Sequence, residues 1–296
     1  MRLAVRRFVS ITKATTLEIA NEPLSLLLLS ASLVLAVFAP AFHYHQFGEA
    51  TRMARDAGLS ALLIGGILFS VTGATRSMRR ELESGTAAVA LSHPVSRAQF
   101  FLAKVCGAYA AFALFALAVG GITATMVNGA RLGAELAAKC GDIPKLWGPS
   151  YALGVTALVL PYIIGAVLNR MWRFRFPLTA FVLTIAISIA SVAYRPDLSE
   201  LLRLLPAEAL LWMPPAFFVT AAAAASVRLR ANAATAVSAL LVFGFLPFAG
   251  NYSLSEALSK GGHIPTGYVV SAALAALPGV LAAAVAGLVL MRSRDV

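Results

Sequence analysis

The stretch LSALLIGGILFSVTGAT RSMRRELESGTAAVALSHPVSRAQFFLAK VCGAYAAFALFALAVGGITATMV, Leu59 to Val127, decides the fold. Two runs without a charged side chain, Leu59–Thr75 and Val105–Val127, enclose a basic, polar loop from Arg76 to Lys104. The runs hold 17 and 23 residues. A bilayer core of about 30 Å is crossed by about 20 apolar residues in a helix. In lipid every backbone N–H and C=O must be satisfied internally, and a helix does this within one segment.

Working outward, six further charge-free runs follow the same rule: Leu24–Phe42, Tyr151–Leu168, Leu178–Tyr194, Ala209–Val227, Ala231–Gly250 and Tyr268–Met291. The expectation is an all-α, polytopic transmembrane helix bundle of about eight spans. A six-span version lays part of Ala209–Gly250 at the interface, because Pro214 and Pro215 interrupt the sixth run and Asn232 and Pro247 the seventh. Composition agrees: of 296 residues, 59% are hydrophobic and 12% charged, with a mean hydropathy of +0.82. An average soluble domain is about 45–50% apolar and about 25% charged. A soluble globular domain, a disordered chain and a coiled coil are therefore excluded.

The net charge of +11 and pI near 10.3 would suggest nucleic acid in a soluble protein. In a membrane protein Lys and Arg mark the cytoplasmic ends of spans, so no nucleic-acid partner is expected. With the N-terminus inside and eight spans, 16 of the 24 basic residues fall inside. They are Arg2, Arg6, Arg7 and Lys13; Arg76, Arg79, Arg80, Arg97 and Lys104; Arg170, Arg173 and Arg175; Arg228 and Arg230; Arg292 and Arg294. Both termini are thus expected in the cytoplasm.

Residues 1–23 form a separate element. On a helical wheel Val5, Phe8, Val9, Thr12, Thr16 and Ile19 share one face, opposite Arg2, Arg6, Arg7, Lys13 and Glu18. Leu3 and Leu17 spoil the polar side. This is the pattern of an amphipathic helix in the cytoplasmic interface, and Pro23 ends it. Residues 24–296 then form the transmembrane domain. Ala39-Pro40-Ala41 loosely fits a signal cleavage site. The long charged stretch before the first run, with Glu18 and Glu22, argues against a signal.

Little in the chain suggests covalent chemistry. The apolar runs hold no ionisable carboxylate, amine, guanidinium or imidazole, which weighs against a proton-driven carrier. There is no GxSxG, HExxH or Walker A loop, so the chain has no P-loop for ATP. Cys106 and Cys140 sit too far apart for a disulfide, and no zinc spacing occurs. His43 and His45 lack further converging ligands. Tyr44, Trp147, Tyr151, Tyr194, Trp212 and Tyr268 fall at outer boundaries and Trp172 at an inner one, as interfacial aromatic belts do.

The loop 76–104 carries the functional signal. Glu81 and Glu83 precede Ser84-Gly85-Thr86. A short apolar helix from Ala87 to Ser92 can follow, capped by Ser84 or Thr86. His93-Pro94 ends it, and Ser96 with Gln99 forms a capping box for the next helix. Glu83, Gly85, Thr86, Pro94, Ser96, Arg97 and Lys104, with Glu81, Leu91 and Phe100, resemble the signature loop of ABC-2 type transporter permeases. The likeness covers about thirty residues; His93 departs from the usual apolar residue, and many members have six spans.

The resemblance implies a membrane subunit that pairs with a second permease copy or a paralogue and docks a cytoplasmic ABC ATPase subunit. ATP would be bound by that partner, and this chain would need no cofactor. The helix after Gly85 would be the coupling helix, with Ala87, Ala88, Val89 and Leu91 as its apolar plug. Arg79, Arg80, Glu81, Glu83 and Arg97 are placed to form salt bridges with the partner or within the loop. The expected setting is a bacterial inner membrane and the expected direction export. Two other classes stay open: an anchor or assembly subunit for an ATPase without a cargo path, and a stand-alone secondary carrier.

Overall fold

The computed structural model describes residues 2–39, 50–84, 96–140, 149–194, 198–229, 233–234, 236–237, 240–241 and 264–293. Among them there are helices and turns and no strand. The principal helices are α1 (Arg2–Ala20), α2 (Pro23–Phe38), α3 (Ala50–Glu83), α4 (Arg97–Cys140), α5 (Pro149–Trp172), α6 (Phe176–Tyr194), α7 (Leu198–Leu211), α8 (Met213–Arg228) and α9 (Thr266–Arg292).

The boundaries have local causes. Pro23 opens α2, where its missing N–H costs nothing, and α1 and α2 meet at a 65° bend. Ser96 caps α4 as expected: the Gln99 N–H donates to Ser96 Oγ at 3.1 Å. The α5–α6 turn places Arg173 at φ 56°. That left-handed residue ends α5 as a cap does; its N–H donates to Asn169 O at 3.0 Å. Asn169 Nδ2 then donates to Phe174 O at 2.6 Å. At Trp212 the chain breaks between α7 and α8, because Pro214 and Pro215 remove two N–H donors. The Tyr109 hydroxyl donates to Trp212 O there, at 3.2 Å.

Six described stretches are long and apolar enough to cross a membrane: Thr51–Glu83, Arg97–Leu132, Pro149–Trp172, Phe176–Ala193, Leu201–Arg228 and Thr266–Arg292. The bent pair of α1 and α2 brings the number to seven if it counts as one span. Six of the eight sequence runs coincide with these stretches. The first corresponds to α2, and the seventh, Ala231–Gly250, lies mostly outside the described residues.

Helices α3 and α4 form the centre, with α2, α6, α8 and α1 packed around them. Their seam is aromatic. Phe69 of α3 meets Phe115 of α4 at 4.9 Å and Phe181 of α6 at 6.0 Å between ring centroids. Trp212 packs edge-on against Phe112 at 5.9 Å. Its half-buried indole therefore packs against the core, whereas the sequence assigned it to an outer aromatic belt.

Two contacts establish which helix ends lie together. Arg97 Nη1 donates to the carbonyls of Met291 and Arg292 at 3.4 and 3.3 Å. Arg228 Nη2 donates to Ser293 Oγ at 2.7 Å. The start of α4 and the ends of α8 and α9 thus share one end of the bundle. Guanidinium groups here satisfy carbonyls that a helix C-terminus leaves unpaired. At the opposite end Thr125 and Ser191 share a 2.9 Å hydrogen bond between α4 and α6.

Candidate functional site

The site grows from the last turns of α3 and the first turns of α4, which bound the loop. Helix α1 packs against both. Thr12 and Thr16, one turn apart, donate to Ala103 O at 3.3 Å and Gly107 O at 3.0 Å, also one turn apart. This two-rung ladder needs close backbones. A Cβ on Gly107 would lie 2.7 Å from Thr12 O and 2.6 Å from Thr15 Cβ, so only glycine fits without a shift.

The ladder brings Glu18 over Lys104, which is 3% exposed. An ammonium group has three N–H donors and no acceptor. All three find partners: Glu81 Oε1 at 2.6 Å, Ser77 Oγ at 2.9 Å and Glu18 Oε2 at 3.2 Å. The Ser77 hydroxyl in turn donates to Glu18 Oε2 at 2.8 Å. Arg80 Nη1 lies 3.7 Å from Glu18 Oε1. Two carboxylates thus face two cations, and the buried charge is neutralised within the knot. Burying an unpaired ammonium would cost several kcal/mol, on the order of the penalty for one ion.

Glu22 lies at the α1–α2 joint. Burial pushes its carboxyl above the ordinary range; Arg76 and Arg80 pull it back, and Glu18 adds to the rise.

The sequence-predicted residues divide into four groups. Lys104, Glu81 and Arg80 enter the knot: the Glu81–Lys104 pair lies within the loop as expected, whereas Arg80 and Lys104 also reach Glu18 of α1, outside it. Arg79 stays local, its Nε donating to Glu83 Oε1 at 3.0 Å one turn away. Arg97 holds the end of α9. Gly85, Thr86, Leu91 and Pro94, with the expected coupling helix, lie outside the described residues.

Helix α1 differs in detail from its wheel. Thr15, Ile19 and Ala20 are buried, whereas Val5, Val9 and Leu17 are exposed at 56%, 55% and 44% beside Arg6 and Lys13. The docked face is therefore rotated toward Thr15. The apolar remainder, with basic neighbours, faces away from the bundle.

Sequence reasoning missed Glu18, Ser77 and the two threonines as partners. It also missed Glu208, which falls one residue before the sixth run yet sits inside the Leu201–Arg228 stretch. A Cβ at Gly120 would lie 2.8 Å from both Glu208 carboxylate oxygens, so the carboxylate rests directly on α4. The signal was the apolar sequence on both sides of it. No cluster of three His, Cys, Asp or Glu suited to a metal occurs among the described residues. His43 and His45 lie outside them. Comparison with protein-family models, with curated proteins and with solved structures finds no match to this chain.

Proposed function

We propose that this chain is the membrane-spanning permease subunit of an ATP-driven transporter of ABC-2 type, working as an exporter with a separate ATPase. The carrying observation is the loop between α3 and α4, whose sequence has the E-x-E-x-G-T … P-x-S-R … K pattern of that family. Support also comes from the company the loop keeps. Its flanks at Glu83 and Arg97 share one end with Arg228 and the end of α9, where the charge count places the cytoplasm. ATP binding by the partner would favour one arrangement of the permease pair over the other, and that difference in binding energy would drive the shift.

Helices α8 and α9 end together, and α9 with its 27 residues is about 40 Å long. Leu229 and Ile264 therefore stand a bilayer thickness apart, which supports the eight-span expectation. Reporters fused after Asp197, Leu229 and Ser255 should report outside, inside and outside; a six-span chain breaks that alternation.

A carrier is the second reading, and Glu208 favours it, since a carboxylate within a span is a usual site of proton or ion work. Mild detergent isolation from the native host separates the two. The wild type should bring down an ABC ATPase, and the Gly85→Pro, Leu91→Asp double variant should lose it. Isolation without any ATPase, together with transport that collapses with the ion gradient, would establish the carrier.

A further inference from the structure

We propose that the Glu18–Lys104–Glu81 knot is a strap that makes α1 and the two helix ends bounding the loop move as one body. Three helices meet on one ammonium group: α1 through Glu18, α3 through Ser77 and Glu81, and α4 through Lys104 itself. The knot lies about one turn before the last residue of α3 and about two turns after the first of α4. Displacement of the loop must therefore move the strap or break it. Breaking it strands a buried charge, so the low-cost path carries α1 along.

The threonine ladder extends that grip. Thr12 and Thr16 hold α4 at Ala103 and Gly107, and Ile19 packs over Gly73 of α3. Beyond Ala20 the chain turns 65° into α2. Movement of α1 therefore reaches α2, which packs on α3 with Ser32 against Gly65. The strap supplies a second route from the loop into the bundle, through α1 and α2.

The source of displacement rests on the permease reading; the strap does not, and its test needs no ATPase. Amide hydrogen exchange is measured on the full chain in lipid nanodiscs for wild type, Lys104→Met and Lys104→Arg. Lys104→Met should raise exchange at residues 12–20 and 78–83 at least tenfold, with α5 and α6 unchanged. Lys104→Arg should restore most of the protection. Unchanged exchange in α1 of Lys104→Met, or a uniform rise in every helix, would overturn the proposal. If Lys104→Met does not fold, Glu18→Gln carries the same test, with a smaller rise confined to the same segments. Should the chain isolate without an ATPase while the localised rise persists, the permease reading fails and the strap stands.

Discussion

Helices α3 and α9 are both long, apolar and uninterrupted by charge over their middle, yet they live in different surroundings. Of the most apolar window of α3, 67% is buried inside the bundle; of α9, 11%. The more apolar of the two is the one left exposed. The same split in burial runs through the bundle: α5 and α6 are mostly exposed like α9, while α4, as apolar as α5, and the α7–α8 stretch are mostly buried like α3. In water burial follows hydropathy. In lipid apolar surface has no reason to hide, and helices associate through small residues, hydroxyls and close packing. Helix α3 supplies these with Gly65, Gly66, Ser70 and Thr75, whereas α9 presents Leu274, Leu277, Leu281, Val285 and Val289 outward.

The largest effect that sharpens this comparison is expected at Lys104. Lys104→Met leaves the half-buried Glu81 without its cation and Glu18 with Arg80 alone, and should cost about 3 kcal/mol, the low end for breaking a buried pair, read from unfolding in a detergent titration. A loss below that of an ordinary surface change would mean the interior is held by packing alone.

Gly107→Leu comes next. Its side chain must displace the Thr12 carbonyl and Thr15, and overpacking of this kind costs about 1–3 kcal/mol. Tryptic cleavage after Lys13 should become faster, as α1 lifts from α4.

A smaller effect of opposite sign is expected at the joint. The Glu22 carboxyl is raised above its ordinary 4.5, chiefly by burial. Its contribution to stability is complete below that ordinary value and is lost as pH rises through the raised one. At neutral pH the ionised group is thus a net cost. Glu22→Gln should stabilise the fold slightly at pH 7, and the gain should vanish on acidification below 4.5. Unfolding midpoints against pH check the sign.

The smallest effect is the other arm of the comparison. Leu274→Ala and Leu281→Ala lie on the exposed face of α9 and should each change stability by less than about 0.5 kcal/mol. A cost of core size would show that another protein surface covers α9, in place of lipid.

The helical bundle was legible because charge-free runs of bilayer length have few other uses. Relative sidedness was legible too: Arg97, Arg228 and the end of α9 were assigned to one side by charge and meet there through hydrogen bonds. Lys104 was singled out through its place in a motif. Its partner Glu18 stands 86 residues away, and no local periodicity encodes a contact at that range. Glu18 read as the polar side of an amphipathic helix, which is true of its position and silent about its partner. Thr12 and Thr16 fell correctly on the inward side, but a wheel cannot show that their hydroxyls bind α4. Glu208 escaped because a charge ends an apolar run by definition, although a carboxylate seated on glycine can lie within a helix pair. Trp212 was misplaced because a tryptophan next to prolines resembles a membrane boundary; the α7–α8 break puts it against Phe112.

An ATPase docked at the α3–α4 loop end would lie within reach of a photo-crosslinking amino acid placed there. It is placed at Ser84, where α3 gives way to the loop, and in a second sample at Ala152 near the opposite end of the bundle. Irradiation of membranes from the native host should give an adduct with an ABC ATPase subunit from position 84 and none from position 152. No ATPase adduct from position 84, or equal adducts from both positions, would contradict the account.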